Sequence, residues 1–171
     1  NVQIDKKQQH HGLTMYHLTR SLDDTRPVVY NDGWEQMKTD LLTIHDYESR
    51  REVLAERYSS VERAVSAMPA GRRMFVGGAS YEGQPILVSE FGGVAFKKSE
   101  WEGWGYSGAS TEEEFLEKLA AVVEPLLQSR TVQGFCYTQL TDVEQEINGL
   151  LTFDRVPKAP LEKLKSIFGA P

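Results

Sequence analysis

Cysteine is almost absent from this sequence: Cys136 is the one thiol among 171 residues. That excludes an intrachain disulfide framework and any multi-cysteine metal cluster. Cys136 lies inside an apolar run and reads as a small buried hydrophobe. No oxidising compartment is implied, so the expected setting is cytoplasmic, with a secreted or periplasmic parent left open. Long hydrophobic runs are missing as well. The longest, around Pro85 to Ser89 and Val94 to Phe96, fall far short of the roughly 20 residues of a membrane span. The polar opening Asn1 to Gln9 is unlike a signal peptide. Positive charge is in deficit, 19 basic against 25 acidic side chains for a net charge of -6. Such a chain has no field to gather phosphate backbones or anionic lipid heads, so neither nucleic acid nor membrane is an expected partner. An initiator methionine is also lacking, and the chain is expected to begin within a longer protein.

What is present is ordinary for a soluble globular domain, 40% hydrophobic and 26% charged, and residues 1–171 read as one partial domain. Apolar residues Leu13, Met15, Tyr16 and Leu18 recur at helical spacing between Asp5 and Leu22, and the polar run before Pro27 stops that helix. Four short β-rich segments follow: Val28 to Tyr30, Leu41 to Ile44, Pro85 to Val88 and Val132 to Tyr137. Helical periodicity fills Arg50 to Met68, Thr111 to Ser129 and Pro160 to Phe168, and Thr111 with Glu114 resembles a capping box. Strands alternating with helices predict a parallel sheet covered by helices. Each strand ends in a polar or acidic cluster, and no glycine-rich phosphate loop follows the first. That favours a (β/α)8 barrel, whose sites gather at the strand C-termini, over a nucleotide-binding sheet. The predicted fold is α/β, part of a (β/α)8 TIM barrel with about four βα units. Four strands cannot close it: either the sheet has two open edges or something else completes it, and open edges predict self-association as a homo-oligomer if this piece exists alone.

Glu90 ends an apolar strand and is followed by Phe91 and two glycines, an address suited to a nucleophile; a strand-end glutamate paired with an arginine is the plainer reading. His45 and Tyr47 end the preceding strand, where a phenol can hydrogen-bond a carboxylate and keep it charged. Asp46 beside His45 raises the idea of a metal or base pair, but no ligand set with metal spacing accompanies it, and no metal or organic cofactor is expected. After the last strand, Tyr137, Gln139 and Asp142 offer an aromatic face and amide and carboxylate groups suited to a sugar. For Tyr137, core packing is an equal alternative. Trp101, Trp104 and Tyr106 lie in a glycine-rich loop that could be a sugar platform or a loop pinned by its own aromatics. Asn31, Asp32, Trp34 and Glu35, after the first strand, are further candidates, and Trp34 also suits the core. His10 and His11 read as surface residues.

Five segments in order carry a resemblance: Asp24-Thr25-Arg26-Pro27-Val28, Thr39-Asp40-Leu41-Leu42, Pro85-Ile86-Leu87-Val88-Ser89-Glu90-Phe91-Gly92, Gly134-Phe135-Cys136-Tyr137, and Gly149 to Lys158. Together they resemble the second half of the catalytic domain of glycoside hydrolase family 2, which contains β-galactosidases, β-glucuronidases and β-mannosidases. The resemblance implies a retaining β-glycosidase acting on carbohydrate, with Glu90 as nucleophile and Tyr47 as its hydrogen-bonding tyrosine. It places Tyr137 near the aromatic that floors the sugar subsite, one residue offset; His45, Asn31, Gln139, Trp101 and Trp104 are expected sugar contacts from their places at strand ends and in the aromatic loop. The family's acid/base glutamate belongs to an Asn-Glu pair that this sequence lacks, and it is expected a few positions upstream of Asn1. The Asn-x-Lys element of β-glucuronidases is replaced here by Glu146-Ile147-Asn148, which turns the expectation toward a galactoside or another neutral β-sugar. The competing expectation is a non-catalytic carbohydrate-binding or self-associating half-barrel.

Overall fold

A computed structural model describes residues 4–98 and 102–169. Helix α1 (Lys6–Leu22) opens on a capping box: the Asp5 carboxylate accepts the Gln8 N–H at 2.8 Å and the Gln8 side chain accepts the Asp5 N–H at 2.9 Å. Of its apolar residues Tyr16 alone is buried, its hydroxyl donating to Asp40 Oδ1 at 2.6 Å, while Met15 and Leu18 stay exposed.

Val28 to Tyr30, expected as the first strand, is not one. Its N–H groups are taken by side chains, Val28 by Asp40 Oδ2 at 2.8 Å and Tyr30 by Thr39 Oγ1 at 3.4 Å. Short polar side chains immediately before the next strand thus compete with a backbone ladder and win.

Strands β1 (Leu42–Asp46) and β2 (Ile86–Gly92) follow, separated by helices α2 (Arg51–Arg57) and α3 (Val61–Ser66) and a 3-10 turn at Pro69–Gly71. The single helix expected over Arg50 to Met68 is broken because Tyr58 is held in the core. Its hydroxyl donates to Asp46 Oδ2 at 2.8 Å, its carbonyl accepts from Ser129 Oγ at 2.7 Å, and Ser60 starts a new helix by accepting the Arg63 N–H.

The short strands β3 (Val94–Phe96) and β4 (Ser107–Ala109) pair with each other; α4 (Glu112–Gln128), β5 (Val132–Thr138) and α5 (Leu161–Ile167) complete the order. Thr111 caps α4 by accepting the Glu114 N–H at 3.2 Å, with three acids in the first turn facing the positive helix end.

Among the described residues the main sheet is parallel, in the order β1-β2-β5. It is a parallel α/β layer, part of a barrel and not a closed one. One face packs on the helices: Ile86, Val88 and Phe91 from the sheet meet Phe115, Leu119, Val122 and Leu126 of α4 in one core. Cys136, expected to be buried, is exposed. It lies between Phe135 and Tyr137, whose rings both pack edge-on against Phe91, so strand alternation turns its thiol to the uncovered face.

The register contains one irregularity of consequence. Thr43 pairs with Leu87 but His45 with Glu90, and Val88 pairs with Phe135 but Phe91 with Tyr137. Both neighbours therefore advance two residues while β2 advances three, which is a bulge at Ser89 and Glu90. Simple alternation from Ile86 and Val88 would place Glu90 in the helix-side core. The extra residue gives that position to Phe91, fully buried, and turns Glu90 out. No helix among the described residues is long and apolar enough to cross a membrane.

Candidate active site

Glu90, near the C-terminal end of β2, stands over a cleft of about 580 Å³ whose walls include Trp34, His45, Tyr47, Glu48, Arg57 and Tyr106. Its Oε2 accepts from the Tyr47 hydroxyl at 2.7 Å and lies 3.2 Å from His45 Nδ1. Burial, with the Glu90 charge adding to it against an opposing contact from Thr138, pushes the Tyr47 phenol well above the ordinary tyrosine range. Tyr47 therefore stays a neutral donor at every physiological pH. Its ring stacks on Tyr106, centroids 3.5 Å apart, and Trp104 meets Tyr106 edge-on at 5.7 Å. Trp104 and Tyr106 are both half-exposed, an aromatic surface running to Tyr47.

The other nitrogen of His45, Nε2, is 2.9 Å from Asp32 Oδ2, and Asp32 Oδ1 accepts from Ser89 Oγ at 2.8 Å. Partial burial disfavours charge on Asp32, yet hydrogen bonds from His45, Ser89 and Thr43 hold its carboxyl below the usual carboxylate range. The His45 ring lies over Gly33: a Cβ there would come within 2.5 Å of it, and φ is +86°. Asp32, His45 and Glu90 could gather round a cation, their ligand atoms falling within 4.8 Å of one another. The three are already in direct contact, Asp32 through a hydrogen bond with His45 Nε2 and Glu90 at 3.2 Å from His45 Nδ1.

The remaining candidates are placed differently. Asp46, next to His45 in sequence, points to the helix side, where it pairs with Arg57 and accepts from Tyr58, so strand alternation separates the two. Asn31 Nδ2 donates to the Trp34 carbonyl at 2.6 Å, closing a turn, and Asn31 lines a second concavity beneath α1 with His11, Met15 and Tyr30. Tyr137, expected near the sugar, packs in the core against Phe91 and Phe168. Its hydroxyl donates to the Asn148 carbonyl at 3.2 Å, burial raises its phenol's pKa, and Gly92 leaves room for its ring. Gln139 is held in the loop after β5, its main chain bonded to Asn148 and Leu150 and its amide to the Glu146 carbonyl. Trp101 lies outside the described residues. Trp34 is partly core, meeting His45 edge-on at 5.0 Å with the Arg72 guanidinium over its ring. Glu35 is buried against Arg72.

Two groups gain weight from the structure, Asp32 and Tyr106. Asp32 had a sequence signal in Asn31-Asp32-Gly33, where a glycine follows an acid at a strand-like end. Tyr106 had none beyond its aromatic neighbourhood.

The family model "Glycosyl hydrolases family 2, TIM barrel domain" matches residues 6–170. No curated protein matches. Among solved structures the chain is similar to a GH2 beta-galacturonidase from Eisenbergiella tayi, with a TM-score of 0.64, 16% identity, and coverage of 96% of this chain and 30% of that one. It is similar to a beta-glucuronidase from an uncultured Clostridium sp., with a TM-score of 0.62, 16% identity, and coverage of 96% and 29%. An exo-beta-agarase gives a TM-score of 0.60, 9% identity, and coverage of 94% and 21%. At these identities the likeness is one of fold, and the chain spans less than a third of the length of these structures. A parallel sheet carrying polar groups at its strand ends and a family match over almost the whole sequence agree: the chain belongs to the TIM-barrel domain of glycoside hydrolase family 2.

Proposed function

We propose that the chain carries the nucleophile half of a retaining β-glycosidase, with Glu90 attacking the anomeric carbon of a β-linked sugar. The observation that carries this reading is the Glu90 carboxylate at a strand end, turned out of the core by the β2 bulge and held at 2.7 Å by the Tyr47 hydroxyl over an open cleft. Attack forms the bond from Glu90 oxygen to the anomeric carbon and breaks the glycosidic bond, whose oxygen leaves with a proton from a second carboxyl group; water then reverses the covalent step. Tyr47 donates to the attacking carboxylate and orients it.

Asp32 does not serve as that second group. Its oxygens are engaged by His45 and Ser89, and the imidazole lies between it and Glu90. The family resemblance puts the acid/base in an Asn-Glu pair that residues 1–171 lack, and these residues alone are expected to hydrolyse ordinary glycosides poorly, since general-acid assistance is typically worth about 10²- to 10⁴-fold.

A neutral sugar, galactoside-like, fits the described wall. Among the described lining residues Asp46 is paired with Arg57, and Glu48 is paired with Arg50. A uronic acid would bring its carboxylate toward Glu90 and find these two arginines already engaged.

Incubation with 2-deoxy-2-fluoro-β-glycosyl fluorides tests the reading, because their leaving group needs no acid. A panel of galacto, gluco and glucurono forms is read by intact and peptide mass. The expected result is an adduct on the peptide containing Glu90 from a neutral sugar, absent in Glu90→Gln. A folded chain that takes no label while the parent enzyme labels elsewhere would sink the assignment. Sugar affinity that survives Glu90→Gln without any labelling would instead favour a carbohydrate-binding half-barrel.

A further inference from the structure

Resting on the reading of Glu90 as the nucleophile, we propose that Asp32 is a positioning residue for it, acting through His45. Asp32 accepts the imidazole's Nε2 hydrogen and thereby aims Nδ1 at the Glu90 carboxylate. The distances form a closed circuit. Asp32 Oδ2 is 2.9 Å from His45 Nε2, and His45 Nδ1 is 3.2 Å from Glu90 Oε2. Ser89, adjacent to Glu90 on β2, returns to Asp32 Oδ1 at 2.8 Å. The strand that carries the nucleophile thus anchors the acid that orients the histidine.

Ionised carboxylates offer acceptors and no donor, so each nitrogen that faces one must carry a hydrogen, Nε2 toward Asp32 and Nδ1 toward Glu90; the doubly protonated ring supplies both, and the two carboxylates fix its orientation. Two other features remove alternative ring poses. Gly33 leaves room for the ring directly over the backbone, and Trp34 meets its edge at 5.0 Å. Tyr47 and His45 both address Oε2. The carboxylate cannot rotate without breaking these contacts, and Oε1 is the oxygen left for attack. A positioning shell of this kind, built around a first contact by a carboxylate and a histidine, commonly governs rate more than binding.

The test follows inactivation of the protein by the fluoro-glycosyl fluoride that labels Glu90, which yields a binding constant and a first-order rate constant separately. In Asp32→Ala the rate constant is expected to fall roughly ten- to a hundredfold with the binding constant within about twofold. Ser89→Ala is expected to act in the same direction and more weakly. Histidine-15N spectra read the device without activity: the Nε2 hydrogen of His45, assigned by its loss in His45→Gln, exchanges slowly in the wild type and rapidly in Asp32→Ala. An unchanged rate constant in both variants, with an unchanged His45 signal, overturns the proposal. If Asp32→Ala fails to fold, Ser89→Ala decides alone, and no change in its rate constant or His45 exchange overturns it equally. Failure of Glu90 to label in the wild type is a separate result, which removes the nucleophile assignment and this proposal with it.

Discussion

At the residue scale the proposed chemistry depends on how one oxygen of the Glu90 carboxylate is held. Glu90 Oε2 takes a phenol hydrogen bond at 2.7 Å, and hydrogen bonds to charged groups contribute about 1.5–3 kcal/mol. Tyr47→Phe is therefore expected to slow labelling of Glu90 roughly ten- to a hundredfold while keeping the fold, since only the hydroxyl is lost. Stopped labelling assays compared with circular dichroism spectra check both halves of that statement. Because burial and the Glu90 charge raise the Tyr47 phenol above its ordinary value, its donor persists as pH rises. An alkaline fall in labelling below about pH 10 would then have to come from another group. Glu90 and Tyr47 were legible in the sequence because polar residues directly after β-rich runs have few places to go except the strand mouth. Tyr137 was not. A tyrosine after a strand can face either side, and only packing against Phe91 and Phe168 put its ring in the core.

At the element scale the β2 strand end is the decisive device. The bulge moves Phe91 into the core and Glu90 out of it, and the next two residues are glycines facing opposite ways. A Cβ on Gly92 would come within 2.2 Å of the Tyr137 ring, and one on Gly93 within 2.5 Å of the Tyr106 ring; both have positive φ, +92° and +60°. Gly92→Ala is expected to destabilise the fold by about 2 kcal/mol or more through strain and overpacking, read by chemical denaturation. Gly93→Ala should act on the site, displacing Tyr106 from its stack on Tyr47 and lowering the labelling rate more than the melting temperature. The loop after β5 rests on a different support. Lys158 is fully buried, its ammonium donating to Asp142 Oδ1 at 2.6 Å and to the Ile147 carbonyl at 2.8 Å. Lys158→Ala leaves Asp142 buried without its cation, an expected loss of about 3–5 kcal/mol. A Lys158→Ala, Asp142→Ala double variant that recovers much of that loss in denaturation experiments would confirm the source.

At the scale of the whole molecule, charge sets a stability window. The carboxyls of Asp32 and Asp40 lie below their ordinary value. In Asp40 burial opposes the shift, and the bonds from Tyr16 and the Val28 N–H outweigh it. Their contribution is present above the unfolded carboxylate range and lost as pH falls through the folded values. Tyr58 lies well above its ordinary value, through burial first and Asp46 next. Its contribution is complete below the unfolded value near pH 10 and is lost above it. Thermal melts are expected to be flat between about pH 5 and 9 and to fall on both sides. Among the described residues the sheet has two edge strands and Cys136 is exposed on the face away from the helices, and light scattering of this stretch alone should show association that grows with concentration. The sequence by itself determined the alternation of β-rich and helical segments, the parallel class of the sheet and the strand ends that hold Glu90, His45 and Tyr47, because hydrophobic period and turn chemistry are local. Tertiary structure decided that Val28 to Tyr30 is no strand, that Cys136 faces outward, and that a bulge frees Glu90 and sets it opposite His45. Those outcomes depend on which neighbour takes each N–H and which face meets a helix, and such contacts join residues tens of positions apart.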